Sequence, residues 1–326
     1  MKLISRGLQM LKHVGNEKLM VKVCNLYYMD DMKQEEIAKK LGISRPTVSR
    51  LLKDAKEAGI VKIEIISPYS NDFSELERAL EEKYGLRHVI IVNDQNDNLS
   101  QKRELGREAA YYLERILKPK DIVGLSMGTT LKEIPQFVSS RKDSKITFVP
   151  ILGGVGQANM EIHPNQIVME IANAFGGKYM LLHAPAVVSD PSIIKSFQEE
   201  LGIKSVMELM RKVNVAVVGL GTPFDTNSTM MATGYYNKND VELMRKLEAV
   251  GDICMQTFNK DGETKGFASN QKVFGYHLEN LRKIDTVIGV VGGTSKLEAI
   301  KGAIKGEYIN VLITNYSNGL ALDGRQ

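Results

Sequence analysis

Short apolar runs recur along most of this chain, and the segments between them carry helical spacing; this alternation limits the possible folds more than any other feature. The runs are "HVIIV" at 88–92, "IVGLS" at 122–126, "ITFVPIL" at 146–152, "KYMLL" at 178–182, "VAVVGL" at 215–220, "TVIGVV" at 286–291 and "INVLIT" at 309–314. Strands that are apolar without alternation suit a sheet buried on both faces. The covering helices are expected over Phe73, Leu76, Leu80 and Tyr84, from about Ser100 to Leu117, after Thr130 and after Pro164. The predicted architecture of this part is a three-layer α/β/α domain with a mostly parallel sheet.

The first 67 residues read differently. Leu19, Val23, Leu26 and Tyr27 place an apolar stripe on a helix from Glu17 to Asp30. In "QEEIAKKLGISRPTVSRLLKDAKEAG", residues 34–59, a short helix is expected to bury Ile37, Ala38 and Leu41 and to stop at Gly42, where a positive φ is required. Ser44 is placed to cap the next helix, Pro46 falls in its first turn, and Val48, Leu51, Leu52 and Ala55 form its inward face, with Gly59 at its end. The result is a helix-turn-helix. Its outward residues, Ser44, Arg45, Thr47, Ser49, Arg50 and Lys53, combine groups that reach base edges with groups that neutralise phosphates. The alternating run at 61–65 predicts a wing strand, and residues 67–72 a linker, which gives a DNA-binding domain over 1–67 and a second domain over 68–326.

Charge supports that division. Residues 1–67 hold 13 Lys and Arg against 8 Asp and Glu, and the remaining residues hold 30 against 31, so the net +4 is all N-terminal. A basic small domain suits a polyanion, and operator DNA is the expected partner. No apolar stretch has the length of a membrane span or the form of a secretion signal, so a cytoplasmic location is expected. Cys24 and Cys254 are far apart and lack metal-ligand spacing, so neither a disulfide framework, nor a metal, nor a cofactor is expected.

Ligands of parallel sheets bind at the carboxyl ends of the strands. Two loops there have the composition of anion cradles: Gly128, Thr129 and Thr130 after the strand at 122–126, and "GGTSK" at 292–296 with its Lys296. Together they suggest a small phosphorylated ligand. "GLGTP" at 219–223 lacks the third glycine of a dinucleotide loop and reads as a strand-to-loop turn. On spacing alone Asp252 reads as a turn or cap residue, and His163, Asn165 and Gln166 as a helix start; His183, at a strand end, has no assigned role. Met207, Met210, Met230 and Met231 read as core or subunit contact.

The motifs "QEEIAKKLGISRPTVSRLL", "VGLSMGTTL", "ILGGVG", "LHAPAVV", "VVGLGTP", "VGDICMQTFNKDG" and "GVVGGTSKLEAIKGAIKGEYINVLIT" run in order from about residue 17 to 315. In these the chain resembles the SorC family of sugar-sensing bacterial transcriptional regulators. The resemblance implies a helix-turn-helix of the kind also seen in sigma factors, an effector domain similar to sugar-phosphate isomerases of the glucosamine-phosphate deaminase type, and assembly as a homotetramer. It also implies a phosphate cradle at Gly128, Thr129 and Thr130, an opposite wall with Asp252 and Lys296, and a sugar-facing segment with Gly153, Gly154, His163 and Gln166. Some family members have a basic residue before the "GG" pair; here it is Leu152, which argues against a second phosphate or a lysine adduct there.

The expected function is therefore a transcriptional regulator of a carbohydrate uptake or catabolism operon, controlled by a phosphorylated sugar or polyol. The rival from another class is a sugar-phosphate isomerase or deaminase fused to a DNA-binding module, for which the sequence offers no evident general-base arrangement. A third is a constitutive DNA-binding protein with an assembly domain, which the glycine loops disfavour.

Overall fold

A computed structural model of the chain describes residues 17–63, 72–139, 144–156, 160–224 and 228–325. The chain divides into two compact units, Met1–Ser70 and Asn71–Gln326.

In the first unit, α1 (residues 17–24) continues as a π-helical turn over Asn25–Met29, and α2 (Gln34–Leu41) and α3 (Arg45–Glu57) follow. Gly42 ends α2 with φ +66°, in the left-handed region that glycine tolerates without a Cβ penalty. The Ser44 hydroxyl accepts from the Thr47 N–H, and Pro46 sits in the first turn of α3. Val23, Leu26, Ile37, Ala38, Val48, Leu51, Leu52 and Ala55 close one small core, while Leu41, expected inside it, is half-buried at its edge. The wing strand expected over 61–65 is not formed in its described part: 61–63 pair with no strand, and 64–65, like most of the expected linker, lie outside the described residues.

The second unit contains α4 (Ser74–Tyr84), β1 (His88–Val92), α5 (Asn98–Ile116), β2 (Ile122–Leu125), β3 (Thr147–Pro150), α6 (Pro164–Ala174) and β4 (Lys178–Tyr179). Then come α7 (Ser192–Glu199), α8 (Leu201–Met210), β5 (Val215–Gly219), α9 (Thr229–Ala232), α10 (Lys238–Lys246), β6 (Ala249–Ile253) and β7 (Gln256–Asn259). The chain finishes with α11 (Leu278–Leu281), β8 (Thr286–Val290), α12 (Leu297–Lys305), β9 (Val311–Asn315) and α13 (Tyr316–Asp323).

Seven strands form one sheet in the order β1-β9-β8-β5-β2-β3-β4, and every pairing in it is parallel. From β2 the chain proceeds outward through β3 and β4, then returns to β5 beside β2 and proceeds the other way through β8 and β9. The gap between β2 and β5 is thus a topological switch point, where the loops above the two strands diverge and leave a crevice. Successive strand residues face opposite layers. Val215, Val217, Ile288 and Val290 pack with Leu105, Ala109 and Leu113 of α5 and Ile167 and Ile171 of α6. Ala216, Val218, Val287 and Leu312 pack on the other side with Leu80 of α4, Val206 of α8 and Ile300 of α12.

Three local departures from expectation have visible causes. The helix after Thr130 is a 3-10 segment over Leu131–Phe137, with Pro135 inside it removing an N–H. The strand expected over 178–182 stops at Tyr179, because the Asn165 side chain takes both backbone groups of Leu182 at 3.0 and 3.1 Å. The antiparallel hairpin β6–β7, absent from the sequence reading, turns on Cys254 and Met255 at φ +50° and +61°. These are the dihedrals that Asn-Gly usually provides, so no turn signal marks the sequence there.

Candidate functional site

In α3, Arg45, Ser49, Arg50 and Lys53 are exposed along one side, with Arg45 3.9 Å from Glu35 and Lys53 3.7 Å from Glu57. Ser44 and Thr47 share a hydroxyl hydrogen bond of 2.8 Å at the helix start, and Thr47 is half-buried, so their first task is capping. The four exposed residues form a basic, hydroxyl-bearing helix face of the kind a major groove receives.

In the second unit, a cleft of about 510 Å³ opens over the switch point at the carboxyl ends of β1, β2, β5, β8 and β9. That volume suits a small organic ligand. Gly128, with φ +150°, and Gly293, with φ +99°, have nothing within 4 Å of a Cβ position, so both present bare backbone to open space. Thr129 and Thr130 flank the first, and Thr294, Ser295 and Lys296 follow the second at the start of α12. Such an arrangement of glycine, hydroxyl and helix start favours an anion.

The Lys296 ammonium donates to the Thr222 hydroxyl at 2.9 Å. Across from it, Asp252 is buried on β6, with no hydrogen-bond partner for its Oδ1 among the described residues. Burial pushes the Asp252 carboxyl up to about 6, against the opposing pull of Lys296 and the Met255 backbone N–H. Gly221 makes this placement possible. It forms a two-bond antiparallel bridge with the Asp252 backbone at 2.9 and 3.1 Å, and a Cβ on it would lie 2.0 Å from Oδ1. The neighbouring Cys254 thiol is raised by burial and by Asp252 and is held as a thiol, an unreactive wall.

The remaining wall is polar. Asp94 accepts from the backbone N–H and hydroxyl of Ser317 and from the Asn315 amide. Burial would raise its carboxyl, but those bonds hold it below the usual range. The Asn315 Oδ1 accepts in turn from the Gly293 N–H at 3.1 Å, tying the second cradle to the end of β9. Asp97 caps α5 by accepting from the Leu99 and Ser100 N–H groups, both at 2.9 Å.

Of the residues expected at the site, Gly128, Thr129, Thr130, Asp252 and Lys296 meet in this cleft, and Gly153, Gly154, His163 and Gln166 do not line it. A Cβ on Gly153 would come within 2.4 Å of the Pro185 carbonyl oxygen, so that glycine serves backbone packing. The Gly154 position is closed by the His163 ring, 2.7 Å from where a Cβ would stand. His163 caps α6 by accepting from the Asn165 N–H, burial lowers its pKa, and the Gln166 amide donates to Glu170 at 2.7 Å. His183 is exposed and lies outside the cleft lining, whereas Met230 lines it. The sequence reading did not single out Asp94 and Asp97 after β1, Gln101 and Lys102 in α5, Asn315 at the end of β9 or Ser317 after it, and it took Gly221 only as part of a strand-to-loop turn. Asp94, Asp97, Gly221, Asn315 and Ser317 lie at or just after strand ends, where the rule that selected the other loops would have found them; Gln101 and Lys102 lie inside a helix and carry no such signal. Among the described residues no cluster of ligating side chains could hold a metal, and no helix is long and apolar enough to cross a membrane.

Comparison with known proteins agrees with both halves. Residues 68–322 match the family model of a putative sugar-binding domain, and residues 23–78 that of a Crp-like helix-turn-helix domain. The chain is 33% identical to the deoxyribonucleoside regulator of Bacillus subtilis over 94% of its own length and 97% of that protein. It is 31% identical to the sorbitol operon regulator of Klebsiella pneumoniae, over 91% of this chain and 95% of that one. The crystal structure of full-length SorC from Klebsiella pneumoniae matches with a TM-score of 0.72 at 30% identity, covering 94% of this chain and 98% of that one. A helix-turn-helix followed by a sugar-binding domain, shared with regulators over almost the whole length, shows that this chain belongs to the SorC family of sugar-binding transcriptional regulators and is a DNA-binding regulator, not an enzyme.

Proposed function

We propose that this regulator controls a carbohydrate uptake or catabolism operon in the cytoplasm and that its effector is a phosphorylated sugar or polyol. The observation that carries this reading is the pair of open glycine loops, at Gly128 and Gly293, on two walls of one cleft that also holds Lys296 and the buried Asp252. A phosphoryl group would accept hydrogen bonds from the backbone N–H and hydroxyl groups of Gly128–Thr130 and Gly293–Ser295, with Lys296 adding a positive charge. The sugar or polyol hydroxyls would donate to Asp252, whose Oδ1 has no partner among the described residues, and reach the amides and hydroxyls around Asn315 and Ser317.

In the DNA-binding unit, Arg45, Ser49, Arg50 and Lys53 would contact operator bases and phosphates, with Ser44 and Thr47 reaching a backbone phosphate from the helix start. A homotetramer, built as a dimer of dimers, would read symmetric half-sites spaced by whole helical turns. The effector switches DNA binding by favouring one quaternary arrangement, with a coupling on the usual scale of about 1–3 kcal/mol. Calorimetric titration of the full chain with matched pairs, each sugar phosphate beside its unphosphorylated sugar, tests the effector class. Binding confined to phosphorylated members supports it, and equal binding of both members of a pair refutes it. Light scattering of the same sample tests the tetramer.

A further inference from the structure

The anion seat has a third side, formed by α5. Gly106 of α5 is pressed against the segment that follows the first cradle, since a Cβ on it would stand 2.8 Å from Glu133 Cβ. On the same helix, Leu105 beside it and Gln101 a turn before Leu105 carry the second cradle: a Cβ on Gly292 would meet Leu105 Cδ1 at 2.6 Å and Gln101 Cγ at 3.4 Å. Lys102 lies between these two contacts, half-buried and lining the cleft.

Its ammonium has no ion pair or hydrogen bond among the described residues. Burial disfavours its charge, and so do the nearby ammoniums of Lys132 and Lys296. Those two have company: Lys132 donates to Glu161 at 2.8 Å, and Lys296 to Thr222. The one carboxylate that favours the Lys102 charge is Glu133, which is buried and already engaged by Gln136 at 2.8 Å and Arg103 at 3.6 Å. A partly desolvated cation beside two like charges is unfavourable unless an anion joins them. It is stabilised when a group of double negative charge arrives, and it adds a charge-assisted hydrogen bond that a neutral ligand cannot use.

We propose that Lys102 is a direct ligand of the effector's phosphoryl group, closing the seat between the Gly128 and Gly293 loops, and that it sets the preference of this regulator for dianionic esters over neutral sugars. The proposal rests on the phosphorylated-effector reading above. It adds a residue from a part of the chain, the second turn of α5, that none of the family-like motifs includes.

The test uses the full-length protein and inorganic phosphate as the probe, titrated by calorimetry at fixed ionic strength against wild type, Lys102→Met, Lys102→Arg and Lys132→Met. Lys102→Met is expected to bind phosphate at least tenfold more weakly, Lys102→Arg to stay within threefold of wild type, and Lys132→Met to lose less than Lys102→Met. In the absence of phosphate, the melting temperature of Lys102→Met is expected to equal or exceed that of wild type, because a partly desolvated charge has been removed. If wild type binds phosphate and Lys102→Met binds it equally well, Lys102 is not a ligand and the phosphorylated-effector reading stands. If wild type binds neither phosphate nor any sugar phosphate, both fall together. If Lys132→Met loses as much as Lys102→Met, the effect is a general field of positive charge and the direct contact is refuted.

Discussion

At pH 8 and without effector, Asp252→Asn is expected to raise the stability of the sugar-binding unit. Asp252 is buried, its Oδ1 lacks a partner among the described residues, and burial lifts its carboxyl from 3.8 to about 6. A shift of that size corresponds to about 3 kcal/mol, which the folded state bears whenever the group is ionised. The sign follows from proton binding. Below about pH 4 both folded and unfolded chains hold the proton on this group, and the penalty is absent. Between about 4 and 6 the unfolded chain releases it while the folded one retains it, so stability falls as pH rises; above about 6 the full penalty is present.

Asparagine keeps the shape and is neutral throughout, although Lys296 then loses an attractive neighbour. The net gain expected at pH 8 is therefore about 1–3 kcal/mol, vanishing at pH 4. Urea unfolding followed by circular dichroism, comparing midpoints of the two proteins at pH 4, 5, 6 and 8, reads it directly. Equal midpoints at every pH would refute the reasoning. The same substitution should weaken effector binding, because an amide oxygen is a poorer acceptor for sugar hydroxyls than a carboxylate. A group that destabilises the empty protein and strengthens binding is the usual trade at a binding site.

Gly221→Ala should destabilise the same unit by about 1–3 kcal/mol, because its Cβ would strike the Asp252 carboxylate; in an Asp252→Ala background the cost should fall below about 0.5 kcal/mol, a double-mutant cycle by urea unfolding that fails if the two changes simply add. Lys120 is exposed at φ +78° in the turn before β2, so Lys120→Gly should stabilise by about 0.5–1 kcal/mol, which calorimetry would register as a melting-temperature rise of about 1–4 °C and which a fall would contradict. Arg50→Gln should weaken DNA binding and reduce the slope of log affinity against log salt by about 1, as measured by anisotropy across a salt series; an unchanged slope would remove Arg50 from the phosphate contacts.

Where local chemistry decides structure, the sequence was readable. Gly42, Ser44 and Pro46 announce the turn and the start of α3, and the apolar runs at 88–92, 215–220 and 286–291 become strands of the parallel sheet. That the loops at 128–130 and 292–296 border a cleft was readable because the carboxyl-end rule needs only strand positions. What was hidden depends on contacts distant in sequence. Asp252 reads as a turn residue until the Gly221 bridge carries β6 over the cleft; the β6–β7 turn is made by Cys254 and Met255, which no turn rule selects. The packing of Gly153 on the Pro185 carbonyl and of Gly154 on the His163 ring joins residues that no spacing rule brings together. Lys102 looks like any helix-surface lysine until α5 is set between the two loops.

The measurement that bears most directly on the coupling of the two units is the affinity of the full-length protein for DNA from its own upstream region, read by fluorescence anisotropy with and without a panel of sugar phosphates and their free sugars. One phosphorylated compound should change the affinity by about 5- to 150-fold, its free sugar should not, and Lys296→Ala should abolish the change while leaving DNA binding itself intact. DNA binding that no phosphorylated compound alters, or that Lys296→Ala alters equally in the presence and absence of ligand, would contradict control of the helix-turn-helix by an anion seated at Gly128 and Gly293.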